Sequence, residues 1–251
     1  MNEIVFGVHP VREVLRRGAR RCEEVFVSRS TKDASIKEVL SLARAAGVEV
    51  RFVGKDEIER MAPGGNHQGI ALGTEEFPVH ALEDALRSEP GRLWLGLDQI
   101  TDPHNLGAIL RNAACFGAGT VVVTERRSAR PTPLVQKIAS GAAEYIRIVE
   151  AVNLNQSIRK LKDAGFWVYG AAAEGKPLSQ VTLNDPAFLI IGAEGTGIRR
   201  RTRELCDELV SIPQAPGAVS SLNASCASAV MLFWASQQLG LSNPSVDDEA
   251  D

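Results

Sequence analysis

The chain has 251 residues, enough for one large domain or two unequal ones with a sizeable core. Hydrophobic residues make up 44% and charged residues 24%, which excludes a collagen-like fibre and global disorder. The net charge of −3 argues only weakly against a nucleic-acid coat protein. No window approaches the ~18 apolar residues of a membrane span, and Glu3 stands where a secretion signal needs positive charge. We expect a cytoplasmic protein with no membrane partner.

The four cysteines are widely spaced and contain no C-x-x-C pair. A zinc ribbon or a disulfide scaffold would need closer and more regular spacing. We therefore predict no metal site and expect the cysteines to be small core residues. They are Cys22, Cys115, Cys206 and Cys226.

The first 74 residues alternate between helical and extended apolar spacing, which predicts a compact α/β domain over 1–74. The predicted elements are helix 10–17, strand 24–28, helix 35–46, strand 48–53, helix 55–61 and strand 69–73. The next stretch, 75–91, is polar, acidic and proline-bearing, with one short amphipathic helix in ALEDALRS. This composition predicts a linker.

From 92 to 241, continuous apolar strands alternate with amphipathic helices, a pattern typical of a mostly parallel sheet covered on both faces. The predicted elements are strand 93–98, helix 105–116, strand 120–124, helix 133–144, strand 146–149, helix 153–164, strand 166–172, strand 188–192, helix 199–205, strand 209–212 and helix 222–239. Residues 242–251 form an acidic tail.

Ligands of open α/β sheets bind beyond the carboxyl ends of the strands, and three segments there carry polar residues. In the first, 99–117, Asp102 and Pro103 are typical of a helix start. Asn105 and Arg111 are six positions apart, about 120° around a helix. They could converge on one substrate only if Asn105 lies ahead of the regular helix.

The second segment, FLIIGAEGTGIRRRTREL, predicts a buried strand, a glycine-rich turn and a helix whose free N–H groups would face an anion. It matches neither the dinucleotide-binding fingerprint nor the P-loop. Glu194 is either a capping carboxylate for the following helix or a ligand group. In the third segment, 211–234, Ser220 or Ser221 is expected to cap the final helix, and the alanines after it indicate close packing.

In order, DPHNLGAILRNAACFGA, IIGAEGTGI and SIP followed by VSSLNASCASAVMLF resemble the three signature motifs of the SpoU family of RNA ribose 2′-O-methyltransferases. This family belongs to the SPOUT superfamily of enzymes that use S-adenosylmethionine (SAM). The resemblance spans about residues 93–240. The stretches IVFGVHPVREVL, GGNHQGIAL and RRSARPTPLVQKIASGAAE resemble the subfamily that methylates a guanosine of large-subunit (23S) ribosomal RNA.

The resemblance implies a small RNA-binding domain of the ribosomal-protein L30e type, followed by a catalytic α/β domain with a deep trefoil knot. It also implies a homodimer with active sites at the subunit interface and large-subunit rRNA as partner. Three positions are implied to bind SAM: Gly192, Ile212 and Leu222. Five are implied to be catalytic: Asn105, Arg111, Glu194, Ser221 and Asn223. The third motif departs from the family in Gln214, which replaces a Met, and in one extra residue.

A ribose hydroxyl is a poor nucleophile, so positioning must contribute much to this reaction. A guanidinium with a pKa above about 12 is a poor base, and we expect Arg111 to grip the target phosphate in bidentate fashion. Asn105 would orient the ribose, and the phosphate, Ser221 or water would assist proton removal. Two alternatives remain at this point: a tRNA ribose 2′-O-methyltransferase and a non-catalytic rRNA-binding assembly factor.

Overall fold

The computed structural model describes residues 3–31, 34–88, 91–215 and 221–241. The chain divides into two compact units, each with its own sheet. The first unit comprises Met1–Pro78, Leu106–Arg111 and Arg130–Tyr145. The second comprises Val79–Asn105, Asn112–Ala129 and Ile146–Asp251. The first unit thus includes two segments from the predicted catalytic region, while the predicted acidic tail, 242–251, lies outside the described residues.

The first unit is built on a four-stranded sheet in the order β1-β4-β2-β3. Its elements are β1 (Glu3–Phe6), α1 (Val8–Arg17), β2 (Cys22–Ser28), α2 (Ile36–Ala45), β3 (Glu49–Val53), α3 (Lys55–Met61) and β4 (Ile70–Thr74). β2 and β3 are parallel, and β4 is antiparallel to both β1 and β2. The predicted helices and strands are confirmed, but β1 was missed. Four residues are too few for a periodicity signal, and β1 is stabilised by its pairing with β4.

The predicted helix 133–144 is wrong in its second half. The structure has α6 (Pro133–Ile138) and then a 3₁₀ helix at Ala142–Tyr145. Between them, Ser140 and Gly141 have φ angles of +55° and +85°, which a right-handed helix cannot accommodate. A Cβ on Gly141 would lie 2.7 Å from Glu13 Cβ, so this turn needs glycine for space as well as for conformation.

A buried ion cluster joins the amino-terminal strand and the 3₁₀ helix within the first unit. The Arg20 side chain is 1% exposed, and its guanidinium donates to Glu3 at 2.9 Å, Glu144 at 2.7 Å and Gln136 at 2.9 Å. Burial raises the pKa of the Glu144 carboxyl, and the Arg20 charge opposes that rise. Arg20 is therefore an interior residue, whereas its neighbours Arg17 and Arg21 are exposed.

The second unit contains a six-stranded sheet in the order β10-β8-β9-β5-β6-β7, with every neighbouring pair parallel. Its strands are β5 (Leu93–Asp98), β6 (Thr120–Thr124), β7 (Arg147–Ala151), β8 (Trp167–Pro177), β9 (Ala187–Gly192) and β10 (Glu208–Ser211). The helices are α4 (Leu82–Arg87), α5 (Pro103–Cys115), α7 (Leu154–Asp163), α8 (Arg200–Arg203) and α9 (Ala224–Leu239), of which α5 also enters the first unit. The prediction of a parallel α/β sheet is confirmed.

Burial explains why these strands were readable from the sequence. Every residue of β5, β6 and β9 is buried, as expected for central parallel strands covered on both faces. Part of the predicted linker also joins this unit, because His80 pairs with Val149 in a parallel bridge and Leu82 of α4 packs in the core. The expected trefoil knot stays a prediction, since residues 216–220 lie outside the described part.

The expectation that all four cysteines are core residues is wrong for two of them. Cys115, at the end of α5, and Cys226, in the first turn of α9, are exposed, whereas Cys22 and Cys206 are partly buried. Burial raises the pKa of the Cys206 thiol to about 12 and also raises that of Cys22. No helix in the described ranges is long and apolar enough to cross a membrane.

Thiol labelling tests this placement. At pH 8 we expect iodoacetamide to modify Cys115 and Cys226 and to spare Cys206, because only the thiolate reacts and a pKa of about 12 keeps Cys206 protonated. Peptide mass spectrometry identifies the labelled positions. The denatured protein serves as the control, since all four thiols should then react. Labelling of Cys206 in the folded protein as fast as Cys115 would contradict the structure.

Candidate active site

A cavity of about 250 Å³ opens beside β8 and at the carboxyl ends of β9 and β10. Small residues form most of its wall, at 171–173 within β8 and at 192–197 from the end of β9. It lies at the edge of the sheet where parallel α/β proteins bind their ligands. The structure brings five of the candidate residues to this cavity: Gly192, Glu194, Ile212, Ser221 and Leu222.

The glycine-rich turn after β9 folds back on its own backbone. A Cβ on Gly192 would lie 2.0 Å from the carbonyl carbon of Gly197, so no side chain fits there. The Gly197 N–H donates to the Ala193 carbonyl at 2.8 Å, and Gly195 and Gly197 both have positive φ angles. The three glycines of the turn therefore leave main-chain groups accessible at the cavity, beside the side chains of Glu194 and Thr196.

Asn223 connects three segments through its side-chain amide. Its Oδ1 accepts the Ser225 N–H at 2.8 Å and so caps α9. Its Nδ2 donates to Asn105 Oδ1 at 3.0 Å and to Glu194 Oε2 at 3.3 Å. The expected cap by Ser221 is wrong, because the Asn223 oxygen takes that position, and the alternative cap, Ser220, lies outside the described residues.

Arg111 is not part of the hydrogen-bonded group formed by Asn105, Asn223 and Glu194. Asn105 lies inside the first turn of α5, not ahead of it, so the two side chains occupy different faces of the helix. Arg111 belongs to the first unit, where its exposed guanidinium lies 3.5 Å from Ser140 Oγ. Asp102 caps α5 as predicted, with its carboxylate accepting the His104 N–H at 2.9 Å.

Asn112 is a residue that sequence reasoning missed. Its Nδ2 donates to the Ser225 carbonyl at 2.9 Å and to Ser228 Oγ at 3.1 Å. Asn105 and Asn112 are seven positions apart, close to two helical turns, so both amides face α9. The seven-residue spacing was a signal that both amides share one face of α5. It did not identify Asn112 as a site residue, because the sequence does not indicate which helix packs against that face.

Asp98 was also missed, and it changes the interpretation of the second motif. The expected helix 199–205 is the single turn α8, and the N–H that precedes it, on Arg199, donates to Asp98 Oδ2 at 3.0 Å. That N–H group is therefore not free for an anion. Glu194 is not the carboxylate bound there, since its hydrogen bond is to Asn223. Of the two interpretations of Glu194, the cap is wrong, and the ligand group stays a prediction.

His67 makes ordinary structural contacts. It is buried, its Nδ1 accepts the Gly69 N–H at 3.0 Å, and its Nε2 lies 3.2 Å from Glu59. Arg126 and Arg127, which follow β6, are exposed. No cluster of three or more histidine, cysteine or acidic side chains suited to a metal ion occurs among the residues that the structure describes.

Comparison with known proteins adds the following similarities. Residues 92–233 match the SpoU rRNA Methylase family, and residues 4–79 match the family described as RNA 2′-O ribose methyltransferase substrate binding. The 23S rRNA (guanosine-2′-O-)-methyltransferase RlmB of Yersinia pestis is 40% identical over 245 residues, covering 96% of this chain and 99% of that protein. RlmB of Pectobacterium atrosepticum is 40% identical over 244 residues, covering 96% and 100%. The AdoMet-bound rRNA methyltransferase of Sinorhizobium meliloti has a TM-score of 0.78 at 25% identity, covering 95% of this chain and 88% of that one.

Gly192→Ala tests the close approach within the turn. The added methyl group meets the backbone of Gly197 and Ile198, which cannot move like a flexible side chain, and we expect a loss of roughly 1–3 kcal/mol in the free energy of unfolding. Denaturant unfolding measures the change. Gly119→Ala is the matched control, because nothing lies within 4 Å of its added Cβ and its φ is not positive. Equal stability of the two variants would show that the turn is not closed in this way.

Proposed function

The chain belongs to the SpoU rRNA methylase family, and on that premise we propose that it transfers the methyl group of SAM to the 2′-hydroxyl of a guanosine in 23S rRNA. The observation that carries this proposal is the identity of about 40% to RlmB proteins over almost the whole chain. It covers both the substrate-binding match and the methylase match. We assign RNA binding to 1–74, a linker role to 75–91 and catalysis to 92–241.

The cavity beyond β9 fits SAM by its chemistry. Its alanine-rich wall at 171–173 suits the adenine ring, and the main-chain groups of 192–197 suit the polar parts of the molecule. Gly192, Ile212 and Leu222 would hold SAM, largely through backbone contacts. When bound, SAM supplies a methyl group made electrophilic by the sulfonium. The residues of the chain therefore have to orient the ribose and deal with its proton.

We call the hydrogen-bonded side chains of Asn105, Asn223 and Glu194 the amide cluster, and this cluster is suited to orienting a ribose. The Asn105 oxygen accepts from Asn223, and the Asn105 NH₂ group, which has no hydrogen-bond partner among the described residues, would donate to a ribose oxygen. The cap by Asn223 and its contact with Glu194 fix the position of Asn105. Ser221, at the rim of the cavity, is a candidate to assist proton removal together with the target phosphate or water. Positioning of this kind contributes several kcal/mol to transfer reactions.

Arg111 supplies the phosphate contact in this proposal. A guanidinium has donors and no acceptor, so it binds a phosphate well and removes a proton poorly. Its exposed position beside Ser140 leaves donors free for RNA. The exposed Arg126 and Arg127 add positive charge for the RNA backbone.

The proposal includes a homodimer. α9 is apolar on more than one face: Met231 and Leu232 are buried in the unit, while Val230 and Phe233 are 39% and 53% exposed. A helix that is apolar all round is normally covered. The Phe233 ring meets Phe116 edge to face at 5.9 Å, so the exposed apolar surface continues onto the end of α5. A second copy of the chain would cover this surface.

We place the enzyme in the cytoplasm, where rRNA is modified.

Methyl transfer tests the main proposal. Purified protein is incubated with methyl-labelled SAM and, separately, with undermethylated large-subunit rRNA and tRNA, and the alkali-resistant linkage is mapped. We expect label in one rRNA guanosine, and a loss of about 10²-fold or more in kcat for Asn105→Ala because the ribose is misplaced. His104→Ala, on an exposed neighbouring position of α5, is the control and should retain activity.

Label found only in tRNA would contradict the rRNA substrate. Binding of SAM and RNA without any label would favour an assembly factor.

For Arg111, both the Ala and the Lys variants should weaken RNA binding, because a lysine cannot reproduce the two parallel hydrogen bonds. Normal turnover with unchanged RNA affinity in Arg111→Lys would exclude the bidentate contact.

Sedimentation velocity tests the dimer. Phe233→Glu places a charge in the proposed interface, and we expect its dimer dissociation constant to rise at least about tenfold. Phe52→Glu is the matched control, because Phe52 is similarly exposed, at 51%, but lies on β3. A monomeric parent protein, or identical behaviour of the two variants, would contradict an interface on α9.

A further inference from the structure

Asp98, the last residue of β5, carries a carboxylate that is 0% exposed. A buried charge is unfavourable unless it is paired and hydrogen-bonded. A single residue supplies both contacts here. Arg199 donates its Nε–H to Asp98 Oδ1 at 2.7 Å and its backbone N–H to Asp98 Oδ2 at 3.0 Å. The carboxylate therefore fixes the main chain of Arg199 as well as its side chain.

The pair of Asp98 and Arg199 lies at the two ends of the glycine turn. In the register of β5 with β9, Asp98 lies opposite Gly192, where the turn begins. Arg199 follows Ile198 directly, where the turn ends. Both ends of 192–198 are thus held at Asp98, one by strand pairing and the other by the ion pair. The turn is a closed loop, and one buried carboxylate completes it.

The interior of the turn depends on this closure. Its hydrogen bond from Gly197 to Ala193 and its backbone contact at Gly192 require the two arms to stay close. The second arm has further anchors, because Arg203 Nε donates to the Ile198 carbonyl at 2.8 Å and the Ile198 side chain is buried in the core. Main-chain groups of this turn line the cavity, whereas Asp98 does not. A change in the pair would therefore reach the cavity only through the shape of the turn.

We propose that Asp98, acting through Arg199, is a positioning residue for cofactor binding: it holds the turn 192–198 in the shape that receives SAM and touches neither SAM nor RNA. This inference rests on the proposed function, which assigns the cavity to SAM. Its consequence is a selective one. Loosening the pair should weaken the binding of SAM more than it lowers the rate at saturating SAM, because bound SAM would hold the turn in shape and the bond between Asn223 and Asn105 lies outside the turn.

Two single variants and their combination test the pair. Asp98→Asn keeps the shape but replaces one acceptor oxygen with a donor that faces a donor of Arg199. Arg199→Gln removes the guanidinium from a side chain that is 45% exposed, but it leaves the buried Asp98 carboxylate without its charge partner, so the melting temperature of each variant is measured and binding is compared in the folded protein. Arg200→Gln is the matched control, since this neighbouring arginine is 92% exposed and pairs only at the surface with Glu204.

The full-length protein is used, with the Kd of SAM measured by calorimetry and with KM and kcat measured in the methyl-transfer assay. We expect Asp98→Asn and Arg199→Gln each to raise Kd and KM for SAM about tenfold or more, with kcat within about threefold of the parent. Because the two residues act as a unit, the double variant should be no weaker than the worse single variant. Arg200→Gln should match the parent.

A merely structural role predicts a different result, namely a lower melting temperature with an unchanged KM for SAM in the folded protein. That result, or equal Kd values for the parent and Arg199→Gln, would overturn the inference and leave the proposed function intact. A fall in kcat with an unchanged KM would also overturn it. If the parent itself neither binds SAM nor transfers methyl, the proposed function fails, and the inference fails with it.

Discussion

The side-chain amide of Asn223 is the interaction on which the arrangement of the site depends. Its oxygen caps the N-terminus of α9. Its nitrogen donates to Asn105 on α5 and to Glu194 in the glycine turn. An amide can do this because it carries an acceptor and two donors at fixed angles. A carboxylate at this position would lack the donors, and a hydroxyl would lack the reach. Three segments that are distant in sequence are therefore aligned by one small planar group.

Around this amide, the second unit combines rigid main chain with a few polar side chains. The sheet holds β9 between β5 and β8, so the start of the glycine turn is placed by strand pairing. The contact of Gly192 with Gly197 then closes the turn without side chains. A site built from backbone in this way is held by the same hydrogen bonds that hold the sheet, which limits its freedom to deform.

The boundaries of the first unit differ from those of the domain predicted from the sequence. The segment Arg130–Tyr145 follows β6 of the second sheet along the chain, yet it packs in the first unit. Its Gln136 and Glu144 bind the buried Arg20, which also binds Glu3. The cluster sets one guanidinium against two carboxylates, and the hydrogen bonds of Arg20 to Glu3, Glu144 and Gln136 offset the cost of burying its charge.

The sequence by itself determined the class of fold and most of its elements, because a buried parallel strand requires an uninterrupted apolar run. β5, β6 and β9 contain such runs, and the buried polar residues Asp98 and Thr124 stand at strand ends, where they have hydrogen-bond partners. Asp102 and Pro103 likewise marked the start of α5 through local chemistry alone. The motifs identified the candidate residues, and five of them line one cavity.

Only the tertiary structure decided which residues meet across the chain. The pair of Asp98 and Arg199 spans 101 positions, and that of Asn105 and Asn223 spans 118. No local pattern records such contacts, since they depend on the order of strands in the sheet. The strand β1 exists because β4 pairs with it, and the predicted helix 133–144 breaks because Ser140 takes a left-handed conformation. Local propensity acts over a few residues, whereas pairing and packing act between segments that the fold brings together.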